Sequence, residues 1–380
     1  MRIALNGWFW DQPYTGSGQY LRRLVSSLRR IAPDDHLILI LPSRIPSPQD
    51  VPEGVEVIHA SGGGGNLGKV WFEQRAFPAA AGKTKADLAH VPYWGGPLSS
   101  PIPLVVSVLD VIPLALPEYA SGFLPRLYTS LQSTAARGAG HILTISEAAS
   151  ADIQKYLGIP AEAITVTPLA ADEAFHPMIG AEHDESVRKK YDLPDRFVLY
   201  MGSYDSRKQV SQLIAAYTYV APPLDNEVPL ILAGRIPEWG KPPFPDIPAE
   251  IAAAGLNDAV RFIGLVDESD KPSLYRLAEI FAYPTGYEGF GLPALEAMSS
   301  GTPIVANKIP VIEEVTADAA FLVETGGSRG MAAAILSLLL DDSLKADLRT
   351  RGLARATHFN WRKTAKATLD VYRHVLANLK

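Results

Sequence analysis

The chain has 380 residues, 35 of them Lys or Arg against 41 Asp or Glu, with 47% apolar side chains, 20% charged ones and no cysteine. At roughly 100–200 residues per domain this length predicts two or three domains, and the composition is that of a packed globular protein rather than a disordered chain. A net charge of −6 supplies no basic excess for a nucleic-acid backbone, so no nucleic-acid partner is expected. The lack of cysteine removes disulfides, thiolate-bound metals and thiol nucleophiles.

Short apolar runs alternate with longer helix-period segments over almost the whole length, which is the pattern of βαβ units and parallel sheets in an α/β fold. Residues 1–6 carry one positive charge and a few apolar side chains before Asn6 and Gly7 break the run, so no signal-peptide core forms and cytoplasmic retention is expected. Strands are predicted at 2–5, 37–41, 55–59, 88–91, 104–108, 142–145 and 164–167, with helices between them. Within this half, residues 61–66 read as a flexible glycine loop. A first domain is expected over 1–175, then a charged, proline-containing linker over 176–194. The second half restarts with strands at 197–201, 229–233, 260–263, 280–283, 303–306 and 320–323, in a domain spanning 195–360. Residues 237–248, with five prolines, read as an irregular loop. The longest apolar stretch, 331–340, is too short for the roughly 20 residues of a bilayer span, which leaves room only for peripheral membrane contact. A last helix-period segment covers 361–380.

Three loops carry chemistry. Gly16, Ser17 and Gly18 lie between the first strand and a helix, where free N–H groups and the helix dipole stabilise an anion; the plainer reading is a turn with Ser17 as N-cap. Gly202 and Ser203 follow the first strand of the second domain and lead to Arg207 and Lys208. Cations in a first helical turn oppose the macrodipole, so stability alone does not explain them, and a diphosphate at the strand ends would suit them. The third loop runs from Tyr283 through Glu288, Gly289, Phe290, Gly291 and Leu292 to Glu296, with Pro293 near a helix start. Its carboxylates can accept hydrogen bonds from sugar or ribose hydroxyls while free amides face phosphate; the plainer reading is a tight turn and a favourable helix-start acid. His90 and His141, at strand edges, read as hydrogen-bonded core residues. No HExxH, HxH or GxSxG motif is present, so a metal-independent reaction without a serine nucleophile is expected.

The Glu288 to Glu296 spacing, with Gly-Phe-Gly-Leu-Pro between them, resembles the Glu-x7-Glu signature of retaining GT-B glycosyltransferases of family GT4. The likeness extends to Gly16–Tyr20, Trp71-Phe72-Glu73-Gln74, Ala89-His90-Val91-Pro92, Thr144-Ile145-Ser146-Glu147, Arg207-Lys208, Phe262–Val266 and Phe359-Asn360-Trp361. It implies two Rossmann-like domains facing a cleft, with a closing helix over 361–380 that crosses back to the first domain. It also implies a nucleotide-diphosphate sugar as co-substrate, no cofactor, no metal, and a saccharide or lipid-linked acceptor. Arg207 and Lys208 would hold the diphosphate, Glu296 the ribose, and Glu288 with the amides of Gly289, Phe290, Gly291 and Leu292 the donor sugar and phosphate. Gly264, Leu265 and Val266 would line the base, and Gly202 and Ser203 the phosphate turn. Gly16, Ser17 and Gly18 would close from the other wall, with Asp110, Tyr93 and Trp94 on the acceptor side. Retention would follow from front-side attack, the departing phosphate taking the acceptor proton.

Two departures bear on specificity. Leu109 precedes Asp110 where many family members carry a His that touches the donor sugar, and Ser203 replaces an Arg common after the strand glycine. The Arg207-Lys208 pair resembles mannosyl- and rhamnosyl-type members, which makes GDP-mannose the expected donor. The alternatives are a non-catalytic sugar-nucleotide-binding protein, which Leu109 keeps open, or another GT-B activity such as a sugar-nucleotide 2-epimerase.

Overall fold

A computed structural model describes residues 1–46 and 48–378. The chain divides into two compact units, Met1–Leu169 together with Asn360–Lys380, and Ala170–Phe359.

The first unit holds a parallel sheet of β1 (Arg2–Asn6), β2 (His36–Pro42), β3 (Glu56–Ala60), β4 (Leu88–Val91), β5 (Leu104–Ser107), β6 (His141–Thr144) and β7 (Ile164–Val166), in the order β3-β2-β1-β4-β5-β6-β7. Parallel strands covered on both faces read as unbroken apolar runs, and residues 37–41 of β2 are buried throughout. Ala4 pairs with Ile38 on one side and Ala89 on the other, so β1 is central and the strand order reverses between β1 and β4. The helix Gly16–Ile31 follows β1 and buries Tyr20, Leu21, Leu24, Val25 and Leu28, the apolar stripe that helical spacing places on one face. Its N-cap is Thr15, whose side chain accepts from the Gly18 N–H, and not Ser17. The glycine run 61–66 contributes Gly65 and Asn66 to the helix Gly65–Trp71.

The helix Trp361–Ala377 belongs to this unit, capped by Asn360 accepting from the Arg362 N–H at 2.7 Å. It buries Leu369, Val371, Tyr372 and Val375, and residues 379 and 380 of the predicted helical segment lie outside the described residues. Tyr372 meets Nδ1 of the fully buried His90 at 2.6 Å while Nε2 meets Ser107 at 2.8 Å, so His90 is a core residue. Burial pushes its pKa down to about 3.

In the second unit β8 (Val198–Met201), β9 (Leu230–Ala233), β10 (Val260–Gly264), β11 (Ile280–Tyr283), β12 (Ile304–Asn307) and β13 (Phe321–Val323) form a parallel sheet in the order β10-β9-β8-β11-β12-β13. Here the order reverses between β8 and β11. The segment 176–194, expected as a linker, is folded into this unit: it contains the helix Asp184–Lys190, and Arg276 donates to Asp184 at 3.0 Å and to the carbonyls of Ile179 and Gly180 at 3.0 and 3.1 Å. The Asp184 charge is thus used in packing, which composition alone does not distinguish from solvation.

Candidate active site

Ligands in open α/β sheets bind outside the carboxyl ends of the strands where the order reverses. In the second unit two loops leave that point. From β8 the chain passes Gly202 and Ser203 into a 3-10 turn, Ser206–Lys208, and then Gln209 in the left-handed region (φ +49°) before the helix Val210–Val220. Arg207 and Lys208 therefore precede the helix instead of occupying its first turn. From β11 the chain passes Thr285 to Glu288, and the Gly286 N–H donates to the Arg207 carbonyl at 2.8 Å, so the second loop seats on the first.

The side chains converge on Glu288. Its Oε2 accepts from Arg207 Nη1 at 2.9 Å, and its Oε1 accepts from Lys208 Nζ, from the Tyr283 hydroxyl at 2.9 Å and from Thr285 Oγ1 at 2.8 Å. Arg207, Lys208 and Glu288 are 13%, 10% and 12% exposed, so water screens the array weakly. Burial raises the Glu288 pKa, but the charges of Lys208 and Arg207 outweigh it and hold the carboxyl at about 2. Arg207 also lies 3.3 Å from Asp205 and donates to the Tyr287 carbonyl at 2.9 Å, and Lys208 sits over the Tyr283 ring at 5.5 Å. Four protein donors meet the Glu288 carboxylate, which holds two cations at the strand ends.

Glu296 belongs to a different set of contacts. It projects from the helix Leu292–Ser300, 9% exposed, and its Oε2 accepts from the Tyr275 hydroxyl at 3.0 Å. Burial pushes its pKa up to about 7 against the opposing pull of Lys271. Gly291, before this helix, has φ +93° and a Cβ there would lie 2.6 Å from Ile312, so the turn requires glycine. Phe290 is buried edge-on against Phe359 at 5.7 Å between ring centres, which leaves its backbone as the part available to a ligand. Gly264 ends β10; Leu265 is 58% exposed, whereas the Val266 side chain is buried.

In the first unit, Gly18 is fixed by contact, since a Cβ there would lie 2.0 Å from the Gln12 carbonyl oxygen. Gly16 and the partly exposed Ser17 open the helix beside it. Asp110 accepts from the Ile112 N–H at 3.1 Å. Tyr93 lies beyond β4 and donates to Asn6 Oδ1 at the end of β1 at 3.2 Å, so this pair bridges the reversal point of its own sheet. Trp94 follows it, half-buried. Two residues not nominated from the sequence stand close by: Glu73, 1% exposed in the π-helical turn Phe72–Ala76, and Lys69, 3.7 Å away. The Trp71–Gln74 run stood out in the sequence only through its resemblance; an acid four residues after a lysine was the available signal.

Comparison with known proteins places these features in a family. Residues 183–355 match the model for "Glycosyl transferases group 1" and residues 15–170 that for "Glycosyl transferase 4-like domain". The chain is 32% identical to O-antigen chain mannosyltransferase B of Escherichia coli over 71% of this chain and 70% of that protein. It is 28% identical to the serotype-specific mannosyltransferase WbdA of Escherichia coli over 63% of this chain, spanning only 29% of that longer protein. The fold matches that of sucrose-phosphate synthase from Thermosynechococcus elongatus with a TM-score of 0.76 at 22% identity, over 100% of both chains.

Proposed function

The chain belongs to the group 1 glycosyl transferases, GT4 enzymes of GT-B fold, and from that premise we propose that it transfers mannose, with retention, from GDP-mannose to a saccharide or lipid-linked acceptor. The observation that carries the reading is the pair of cations Arg207 and Lys208, locked by Glu288 at the reversal point of the second sheet. A leaving nucleoside diphosphate gains negative charge as the sugar departs. Donors already oriented in a poorly screened site stabilise that charge without reorganising, and a reaction with no protein nucleophile draws most of its acceleration from this source. Glu288 maintains this arrangement; the cations do the binding. Arg207 and Lys208 already stand at the strand ends where the diphosphate would sit, and we propose that no divalent metal is needed. Glu296 would accept from the ribose hydroxyls, and the amides around Gly291 would face phosphate. The departing phosphate oxygen then takes the proton of the acceptor hydroxyl on the same face of the sugar, so the C–O bond to phosphate breaks as the new glycosidic bond forms. Mannose as the transferred sugar is supported by the relatives above, which are themselves named as mannosyltransferases.

No helix among the described residues is long and apolar enough to cross a membrane. Phe123, Leu124 and Leu127, on the helix Phe123–Arg137 of the first unit, are 78%, 72% and 56% exposed, which supports a peripheral contact with a lipid surface carrying the acceptor.

The test is a thermal-shift and calorimetric titration of GDP, UDP and ADP and their common sugar conjugates with EDTA present, followed by transfer of labelled sugar and assignment of the product anomer by NMR. Binding of the guanine nucleotide and an α-linked product from GDP-α-mannose support the reading. Selective binding of another base, or an inverted product, overturns the donor or the stereochemistry.

A further inference from the structure

The strongest unassigned feature is the Lys69–Glu73 pair of the first unit. Burying an acid and an amine together roughly breaks even against apolar side chains, and single π-helical turns are frequent at functional sites. Around the pair the chain assembles three rings. The Lys69 ammonium lies over Phe9, Tyr93 and Tyr128 at 4.9, 5.4 and 5.2 Å, and the Tyr128 hydroxyl donates to both Glu73 oxygens at 3.0 Å. Tyr93 ties this cluster to Asn6 at the end of β1, and the buried Nδ2 of Asn6 and Nε1 of Trp94, the residue after Tyr93, have no hydrogen-bond partner. Unsatisfied buried donors are costly, which makes them places for a ligand's oxygens.

We propose that this cluster binds the uncharged, hydroxylated ring at the end of a saccharide acceptor, and that Glu73 excludes anionic acceptors by keeping Lys69 neutralised. The proposal rests on the glycosyltransferase reading above and refines its acceptor. Aromatic rings suit the C–H faces of a sugar, while the amide of Asn6 and the indole of Trp94 offer donors to hydroxyl oxygens. A lone ammonium on three rings would attract a phosphate or sulfate ester. With Glu73 at 3.7 Å the two charges cancel, and an anion reaching Lys69 must also face a carboxylate in a poorly screened site.

The experiment is ligand-observed NMR titration of the full chain at about pH 8.5, where Glu73, with its pKa of about 7, is ionised, with methyl α-D-mannopyranoside and its 6-sulfate, whose charge is constant with pH. The wild-type chain is expected to bind the neutral glycoside and to bind the sulfate at least tenfold more weakly. Glu73→Gln, which frees the Lys69 charge, is expected to shift the sulfate-to-neutral ratio by about tenfold or more, and the double change Lys69→Met with Glu73→Gln to cancel that shift. An unaltered ratio in Glu73→Gln overturns the proposal, as does equal wild-type affinity for the two probes.

Should Glu73→Gln fail to fold, the wild-type chain tests the same point by pH. Burial pushes the Glu73 carboxyl up to about 7, while Tyr93 and Tyr128 are raised and stay neutral, and burial lowers Lys69 against the opposing pull of Glu73. Sulfate affinity should then rise several-fold from pH 8 to pH 6, and a flat profile overturns the proposal. A nucleotide-induced thermal shift measured alongside separates the two readings: shift retained without saccharide binding sinks this site alone, whereas loss of the shift with saccharide binding intact sinks the donor assignment.

Discussion

Asn307 and Gln212 exchange amide hydrogen bonds, Asn307 Nδ2 donating to Gln212 Oε1 at 2.9 Å and Gln212 Nε2 donating to Asn307 Oδ1 at 3.1 Å. The pair lies beside the candidate donor site, because Asn307 also donates to the Pro284 carbonyl and to Gln209 Oε1, the latter at 3.2 Å. Pro284 begins the loop that carries Glu288, and Gln209 follows the turn that carries Arg207 and Lys208. One buried amide at the end of β12 thus sets the distance between the two halves of the cation array.

Asn307→Leu should therefore act twice. It takes the partner from Gln212 Nε2 and from the Pro284 carbonyl, while Gln212 Oε1 keeps the Gly326 N–H at 3.3 Å; each loss costs about 1–3 kcal/mol, which urea denaturation would register. It also loosens the register of the two loops, so turnover at saturating donor should fall together with donor affinity. Reduced stability with unchanged kinetics would show that Asn307 serves the fold alone.

Lys208→Ala removes one of the two charges aimed at the departing diphosphate. Loss of one preorganised donor to a developing anion typically costs about 10²–10³ in rate, and kcat is expected to fall by that order. Glu288→Gln should lower kcat less, since both cations remain but lose the carboxylate that fixes them. Rates at the wild-type level in Lys208→Ala would remove the residue from the site.

Much of this was legible in the sequence, and the boundary has a physical cause. Parallel strands buried on both faces announce themselves as apolar runs, so Leu37 to Leu41 and Leu230 to Ala233 needed no structure. At Gly291 the sequence left open a tight turn or amides facing a phosphate, and the structure shows a positive φ that excludes a side chain. The same holds where several polar residues compete: Thr15 and Ser17 can each cap the first helix, and only the geometry selects Thr15. What could not be read are contacts between residues far apart in the chain. Glu288 as the anchor of Arg207 and Lys208 depends on a loop 80 residues away. The Glu73 site depends on Tyr128 from another helix and on a π-helical turn that leaves no period in the sequence. The segment 176–194 was misleading because charges engaged by Arg276 look like charges engaged by water.

Nucleotide binding should depend on pH through Glu296. Its carboxyl, pushed up to about 7, is partly protonated at neutral pH, whereas ribose hydroxyls that donate to it favour the carboxylate. Affinity for the donor nucleotide is expected to weaken as pH falls from 8 to 6, and binding at pH 7 should release protons, seen as a buffer-dependent enthalpy in calorimetry. Glu296→Gln should bind more weakly with no such dependence. A wild-type affinity flat across this range would place the ribose elsewhere.

Stability should respond to the same group with a sign that can be worked out. The folded pKa of Glu296, about 7, lies above the ordinary glutamate value of 4.5, because burial disfavours the charged form. The folded state therefore holds this proton more tightly than the unfolded state does. The stabilisation is complete below about pH 4.5 and is lost as pH rises through 7, on the order of 3 kcal/mol over the window. Glu73, raised in the same way, acts in the same sense. His90 opposes them: its folded pKa of about 3 means that the unfolded state takes up a proton below about pH 6.5 that the folded state refuses. A single wild-type curve would mix these contributions, but the difference between wild type and Glu296→Gln isolates one. That difference, from urea denaturation at each pH, should move in favour of the wild type by about 2–3 kcal/mol between pH 8 and pH 5. A difference independent of pH would mean that Glu296 titrates near its ordinary value and that the helix holds it closer to solvent than its contact with Tyr275 implies.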